Sequence, residues 1–319
     1  SKDRHCIIRG AVKYLLSFSG GIKGNCRFFS GFFRRIPCVV GMHCISQTGG
    51  NVKMTTKNTF AKIHWVLSSQ FGCDLRHFLR AICGLPFFLH DWHRFHKEYS
   101  GKINLMPCLH DRYEESGNTN SEYFWQDLLV AQWIYAAKPQ RHVDIGSRID
   151  GFVAHVASYR EIEVFDVRPI NAHVPGVVFK KANLMLPLTL PSVGDGGYCD
   201  SLSCLHAIEH FGLGRYGDPV DADGHKHGIV NMARLLKPCG RLYISTPIGQ
   251  ERVEFNANRV FNPRTIIISA ESAGLKLHSL TVISTSGAVH EVHPHEDILN
   301  ELAQKNYNLG IFVFIKSNP

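Results

Sequence analysis

Apolar residues recur at intervals of three and four in the first third of the chain. From Phe60 to Ile82 this spacing predicts a helix, which Pro86 should end, and a second short piece rich in aromatic and basic residues should follow. Residues 54–120 are therefore expected to form a helical and loop segment. Because aromatic side chains alternate there with His, Arg and Lys, as in helices at a membrane surface, peripheral membrane contact through residues 60–100 is a hypothesis.

The pattern changes after residue 120. Residues 122–137 have the spacing of an amphipathic helix, and Ser121 is placed to cap its start. Short apolar runs then alternate with helical or loop segments. This alternation predicts an α/β domain over residues 121–319, in which a doubly wound parallel sheet binds its ligand beyond the carboxyl ends of the strands. The expected strands lie at 142–146, 161–167, 176–183, 197–204 and 240–247.

The formal net charge of +8 at pH 7 is confined to the start of the chain. Residues 1–53 contain nine Lys and Arg but one acidic residue, and the remainder carries basic and acidic residues in equal number. The main body is thus neutral, and no nucleic-acid partner is expected. The composition of residues 1–53, followed by an ordinary protein start at Met54, predicts a non-native or disordered basic leader.

Two further observations bear on the compartment. No apolar run reaches the roughly 18–20 residues of a membrane span. The cysteines after residue 53 lack a paired spacing such as C-x-x-C, so they are expected to be reduced. Both observations predict a cytoplasmic location.

Polar residues follow the ends of three predicted strands. The first strand ends in Asp144-Ile-Gly146-Ser147, where a glycine lets the backbone approach a ligand and the next helix begins with free amides. Asp166 ends the second strand, where a carboxylate can accept hydrogen bonds from both hydroxyls of a ribose. Asn183 follows the third strand, and its amide can recognise an adenine edge. Together these residues predict a nucleoside site.

The stretch His206-Ala-Ile-Glu209-His210 matches the H-x-x-E-H pattern of inverted zinc peptidases. A long helix would place both histidines on one face, where they could bind zinc with a third ligand. The predicted strand, however, persists to about Cys204 and Gly212 follows closely, so little helix is available. A zinc hydrolase is therefore a remote alternative, and no metal site is expected.

Residues 122–319 resemble the class I S-adenosylmethionine-dependent methyltransferases in the order of their motifs: the D-x-G turn, the second-strand acid, the D…EH stretch and LLKPCGRLYIS. The stretches RHVDIGSRIDGFVAHVASYREIEVFDVRP, CDSLSCLHAIEHFGLGRYGDP and NYNLGIFVFIK also resemble the family catalogued as domain of unknown function 268, often encoded among bacterial surface-polysaccharide genes. The resemblance implies a Rossmann-like sheet of seven strands with the last one antiparallel, and S-adenosylmethionine as cofactor.

The resemblance also implies roles for the strand-end residues. Asp144, Gly146 and Ser147 would face the methionine end of the cofactor, Asp166 its ribose and Asn183 its adenine.

The glycine turn departs from the D-x-G-x-G-x-G pattern of these enzymes. Arg148 and Asp150 occupy the second and third glycine positions, and a glycine returns only at Gly151. Either the loop follows a different path, or the site has lost or changed its cofactor. The second possibility would make the chain a catalytically silent binding or scaffold protein.

The resemblance places His206 at the end of the fourth strand beside the methyl group, where its ordinary pKa suits a general base. In the long glycine-rich loop that follows, Arg215 can hold a phosphate or carboxylate and Asp218 a sugar hydroxyl. The expected function is methyl transfer to a small or lipid-linked saccharide in polysaccharide biosynthesis.

Overall fold

The computed structural model describes residues 67–68, 72, 74–113, 117, 119, 121–187 and 197–318. Two compact units divide the chain at Leu109 and His110. The leader predicted at residues 1–53 lies outside the described residues, as do residues 60–66, 69–71 and 73 of the helix predicted from Phe60 to Ile82.

The described part of the first unit contains one long helix, α1 (Leu75–Glu98). It runs through Pro86, so the expected break there is wrong. A proline inside a helix removes one backbone donor and its ring crowds the carbonyl of the residue four positions earlier, which can kink a helix without ending it. Large apolar side chains of α1 are exposed, among them Phe78, Ile82 and Phe95. Within the described residues, no helix has the length and hydropathy needed to cross a membrane.

The second unit alternates strands with helices, as its apolar pattern predicts. The helix predicted over 122–137 is α2 (Glu122–Ala137), and Ser121 stands at its N-cap with extended backbone angles, although its side chain makes no capping hydrogen bond. The remaining elements are β1 (His142–Ile145), α3 (Ala154–Ala157), β2 (Ile162–Asp166), β3 (Val177–Lys181), β4 (Cys199–Leu205), α4 (Gly224–Leu235), β5 (Leu236–Ile248), β6 (Arg252–Glu254), β7 (Asn258–Val260), α5 (Pro263–Ser272), β8 (Leu275–Ile283), β9 (Val289–Val292), α6 (Glu296–Gln304) and β10 (Asn308–Lys316).

The main sheet has the strand order β3-β2-β1-β4-β5-β10-β8-β9. Strands β1 to β5 pair in parallel, and β10 is antiparallel to both β5 and β8. The predicted α/β sheet with an antiparallel last strand is therefore confirmed, and the order of its first seven strands is that of the methyltransferase-type sheet. Strand β9 adds an eighth strand at the edge through antiparallel pairing with β8.

Both faces of the sheet are buried, because successive side chains of a strand point to opposite sides. In β10, Leu309, Ile311 and Val313 pack with α2 and the segment around α3, whereas Phe312 and Phe314 pack on the opposite face with α4, α5 and α6. Each fully buried side chain of this kind contributes roughly 1.5–3 kcal/mol to folding. The resulting rigid sheet brings the carboxyl ends of β1 to β5 to one edge, where the predicted site residues lie.

Candidate functional site

The turn after β1 requires a glycine. Gly146 has φ +71°, and a Cβ built there would lie 3.2 Å from the Cβ of Ala207. Its N–H donates to the carbonyl of Phe165 at 3.0 Å, which fixes the turn against β2. Gly146 lines a cavity at the carboxyl ends of the parallel strands, as predicted for a ligand site.

Asp144 and Ser147 shape this turn from behind and do not line the cavity. The Asp144 carboxylate is fully buried and accepts hydrogen bonds from the Ser147 N–H (3.0 Å), the Ser147 hydroxyl (2.6 Å) and the Ser203 hydroxyl (2.5 Å). Burial raises the pKa of Asp144 to about 6, although these hydrogen bonds act in the opposite direction. The structure thus places both residues where they hold the loop, which differs from the expected direct contact with a ligand.

Arg148, the residue that departs from the glycine pattern, extends toward solvent. Its guanidinium forms a two-pronged ion pair with Asp150 (3.1 and 2.7 Å), and its side chain is 59% exposed. The close approach is made by Gly151, where a Cβ would lie 2.5 Å from a carboxylate oxygen of Asp127 on α2. The chain forms a π-helical turn over Ile149–Val153. Arg148 therefore does not fill the cavity, although it occupies a glycine position of the motif.

The cavity has a volume of about 220 Å³ and lies entirely within the second unit. One part of its wall comes from the ends of β1, β2 and β3, and another comes from the start of α2, the segment after β4 and the residue before β10. The residues used below are Gly146, Asp166, Arg168, Asn183, Glu122, His206, Glu209, Arg215, Tyr216, Asp218 and Tyr307. The cavity therefore brings together most of the site residues predicted from the sequence.

Asp166 lies at the end of β2 as expected, but its carboxylate is already paired. Arg168 donates to it from its backbone N–H (2.8 Å), from Nε (3.1 Å) and from Nη2 (2.6 Å). The guanidinium of Arg168 also stacks on the ring of Tyr216, 4.3 Å from its centre. A ribose can reach Asp166 only when Arg168 turns aside. Asn183 lines the cavity too, and its side-chain oxygen accepts the N–H of Met185 at 3.0 Å.

The loop after β4 is held at the cavity by polar contacts of Asp218 and Arg215. Asp218 accepts backbone N–H groups from Gly212 (2.8 Å), Gly214 (3.4 Å) and Tyr216 (3.2 Å), so its carboxylate is engaged in holding the loop rather than open to a sugar hydroxyl. Arg215 lines the cavity and donates to the carbonyl of Ala257 at 2.8 Å. Among the described residues, its guanidinium has no carboxylate partner within ion-pair distance.

Arg259 joins the two ends of this loop. Its buried guanidinium donates to the carbonyls of Phe211 (2.5 Å) and Ala222 (3.2 Å), which stand at opposite ends of the loop. Only the tip with Arg215 and Tyr216 extends toward the end of β2.

His206 is the centre of a buried acid–base cluster. Its Nδ1 lies 2.8 Å from Oε1 of Glu209 and its Nε2 lies 3.4 Å from Oε1 of Glu122. The ring stacks on Tyr123 with centres 4.4 Å apart. Burial alone would lower the pKa of His206, but the two carboxylates outweigh it and raise the pKa to about 9. His206 is therefore an imidazolium at neutral pH, and the expected general base already carries its proton.

The H-x-x-E-H stretch does not form one helix. Strand β4 ends at Leu205, His206 adopts φ +49°, and a single 3₁₀ turn spans Ile208–His210. Oε1 of Glu209 lies 2.8 Å from Nδ1 of His206 and 3.8 Å from Nε2 of His210. Over the described ranges, no group of three His, Cys, Asp or Glu side chains is arranged to hold a metal ion.

Three residues of this site were not predicted from the sequence: Glu122, Arg168 and Tyr307. Tyr307 donates to Glu122 at 2.6 Å across 185 residues of chain. Because the two residues are so far apart in the chain, no local sequence pattern marks them as a pair. Arg168, by contrast, stands two residues after Asp166, and this spacing is a detectable signal.

A family model described as "Caenorhabditis protein of unknown function, DUF268" matches residues 197–271, which confirms the expected resemblance for that part of the chain. No curated protein matches.

Several solved structures are similar at low identity. They include the 1,6-didemethyltoxoflavin-N1-methyltransferase of Burkholderia thailandensis with bound S-adenosylhomocysteine (12% identity, 61% of this chain and 80% of that one, TM-score 0.44). The N-methyltransferase NodS of Bradyrhizobium japonicum, also with S-adenosylhomocysteine, is 12% identical over 64% of this chain and 90% of that one, with a TM-score of 0.42. The [4+2]-cyclase SpnF is 14% identical over 64% of this chain and 86% of that one, with a TM-score of 0.43. By its strand order the second unit has the fold of the class I S-adenosylmethionine-dependent methyltransferases, and its residues 197–271 carry the domain of unknown function 268 pattern.

Proposed function

We propose that the protein transfers a methyl group from S-adenosylmethionine to a saccharide acceptor that carries a phosphate. The observation that carries the proposal is the single cavity that joins the glycine turn and Asp166, on one side, to the buried acid–base cluster of His206 on the other. The first part suits a nucleoside, and the second suits control of a proton. Both parts lie at the strand ends, where this fold binds its ligands.

The residues present fit S-adenosylmethionine. Gly146 keeps the wall open where a Cβ would collide with Ala207, and Asp166 offers a carboxylate at the position suited to ribose hydroxyls. Asn183 stands near the third strand end, on the side expected for the base. When bound, the cofactor supplies an electrophilic methyl group on a positively charged sulfur.

The protein's contribution is positioning and charge. The cluster of His206, Glu122 and Glu209 carries one positive and two negative charges at neutral pH, so its net negative charge favours a cationic ligand in the cavity. Alignment of donor and acceptor alone can lower the barrier by roughly 7–11 kcal/mol. The tip of the loop, where Tyr216 stacks on Arg168, shields the cavity from water.

Arg215 supports an anionic acceptor. In the described part of the chain it is the arginine of the cavity whose guanidinium lacks a carboxylate partner, whereas Arg148 and Arg168 are paired with Asp150 and Asp166. An arginine fork is suited to phosphate oxygens. Nucleotide sugars and lipid-linked saccharides both carry such groups.

A lipid-linked acceptor would bring the protein to the cytoplasmic face of a membrane, and the exposed apolar residues of α1 fit contact with such a surface. Flotation with phosphatidylglycerol vesicles tests this part. Replacing Phe78, Ile82 and Phe95 by Ser should abolish flotation; equal flotation of the variant would contradict membrane contact through α1.

Calorimetry with S-adenosylmethionine and S-adenosylhomocysteine tests the function directly. We expect binding to the wild-type protein, followed by transfer of a radiolabelled methyl group to a nucleotide sugar. A folded protein that binds neither ligand at millimolar concentration would instead favour the second candidate, a silent scaffold. The contact of Arg168 with Asp166 is the observation that keeps this alternative in view.

A further inference from the structure

We propose that Glu122, and not His206, accepts the proton of the methyl acceptor, and that the acceptor atom is a hydroxyl oxygen. This inference rests on the methyl-transfer function proposed above and assigns the proton to a residue that the sequence did not indicate. It follows from the way the carboxylates and the imidazole face one another at the cavity wall.

Glu122 is the member of the cluster that the cavity contents can reach. Its side chain is 22% exposed, compared with 6% for His206 and 1% for Glu209. Its contacts with Tyr307 (2.6 Å) and His206 (3.4 Å) both involve Oε1. Among the described residues, Oε2 accepts no hydrogen bond. That oxygen is thus free to receive a hydroxyl proton.

His206 cannot perform this step, because both of its ring nitrogens face carboxylates. Nδ1 lies 2.8 Å from Oε1 of Glu209, and Nε2 is buried without a hydrogen bond 3.4 Å from Oε1 of Glu122, so neither nitrogen is open to a substrate. The imidazolium is a positioning residue. Its ring lies beside Glu122, and Glu209 fixes the orientation of that ring.

Tyr307 and Tyr123 complete the surroundings of Glu122. Burial raises the pKa of Tyr123 to about 12 and also raises the pKa of Tyr307, with Glu122 adding to both effects. Both phenols therefore remain protonated, and Tyr307 acts as a hydrogen-bond donor. Arg148, 5.6 Å from the centre of the Tyr123 ring, is the nearest guanidinium on this side.

The reaction balances with these groups. The hydroxyl oxygen of the acceptor forms a bond to the methyl carbon, the electron pair of the methyl–sulfur bond stays on sulfur, and the hydroxyl proton passes to Glu122. Water later removes the proton from Glu122. A hydroxyl acceptor needs such a base because its oxygen must lose the proton as the new bond forms, and a positioned base typically accelerates this 10²–10⁴-fold.

The decisive variant is Glu122→Gln, which keeps the size of the side chain and removes the base. The assay uses the full chain with radiolabelled S-adenosylmethionine and four hydroxyl-bearing probes: UDP-glucose, UDP-N-acetylglucosamine, GDP-mannose and octyl glucoside. We expect turnover to fall roughly 10²–10⁴-fold, with the affinity for S-adenosylhomocysteine kept within about threefold. Glu301→Gln, at an exposed glutamate paired with Lys305, is the matched control and should behave as wild type.

Each result has a separate meaning. A wild-type protein that does not bind S-adenosylhomocysteine defeats the proposed function itself. A Glu122→Gln variant that binds it and turns over at the wild-type rate overturns only the role of Glu122. A protein that binds the cofactor and methylates none of the four hydroxyl probes overturns the hydroxyl acceptor.

A second measurement, which needs no acceptor, tests whether His206 carries the charge expected of a positioning residue or serves only to hold the structure. In NMR spectra with labelled histidine, His206 should remain an imidazolium at pH 8, and a neutral ring at pH 7 would overturn the arrangement. With an active probe, His206→Asn should move the acid limb of the pH–rate profile to higher pH, because the stabilising charge beside Glu122 is lost. An equal loss of rate at every pH would show a structural role only.

Discussion

The charge state of His206 makes the stability of the second unit depend on pH. The two carboxylates of Glu122 and Glu209 raise the pKa of His206 to about 9, whereas the unfolded chain releases this proton near pH 6.5. Below pH 6.5 both states hold the proton, and the stabilisation is fully present. As the pH rises through 9 the folded state loses the proton too, and the stabilisation disappears.

The size of the effect follows from the two pKa values. Their difference, at about 1.4 kcal/mol per pH unit, corresponds to at most about 3.5 kcal/mol, of which about 3 kcal/mol is lost between pH 6.5 and pH 9.5. In a unit of about 200 residues this is a fall of roughly 6–12 °C in Tm between pH 6.5 and pH 9.5. His142 does not contribute in this range, because burial lowers its pKa to about 3.

Urea unfolding followed by tryptophan fluorescence at half-unit pH steps measures this dependence. His206→Asn is a suitable variant because asparagine tolerates the φ of +49° found at this position. It should start less stable at pH 6.5 and lose less stability than the wild type up to pH 9.5, while Glu122→Gln should show an intermediate slope. Parallel curves for the wild type and His206→Asn would refute the assignment of the proton to His206.

Three further predictions concern the cavity. Gly146→Ala should lower the free energy of unfolding by about 1–3 kcal/mol, more than Gly274→Ala, which has a similar positive φ but open space around it; urea unfolding compares them. Asp166→Asn should weaken S-adenosylhomocysteine binding about tenfold or more, whereas Arg168→Ala should strengthen it about two- to fivefold because an ion pair no longer competes; unchanged calorimetric affinities would contradict both. Arg215→Ala should raise the KM for UDP-sugars about tenfold with little change in kcat, and an effect confined to kcat would place Arg215 elsewhere in the reaction.

The alternation of strands and helices was predictable because it depends on local patterns. Short apolar runs separated by helical spacing specify a parallel sheet wherever they occur, and a residue at a strand end must lie at the ligand edge. This is why Gly146, Asp166 and Asn183 lie at one cavity, as their positions in the sequence predict. The edge strand β9 was not anticipated, since its run of four residues gives too weak a signal.

The charge states and partners of the site were not predictable in the same way. Asp144 looks like a ligand contact in the motif, but three hydrogen-bond donors turn its carboxylate inward. His206 looks like a base with an ordinary pKa until Glu122 is brought to its second nitrogen. These properties arise from contacts between residues distant in sequence, and the packed fold alone supplies them.

The cluster around His206 also bears on whether the protein is an enzyme or a scaffold. Removing an imidazolium and two carboxylates from water is costly, and apolar residues of similar volume often stabilise a protein equally well or better. Glu122 lines the cavity, and one of its carboxylate oxygens accepts no hydrogen bond among the described residues. The donor Tyr307 and the imidazolium of His206 lie beside it. That combination suits the movement of a proton, and it favours the enzyme.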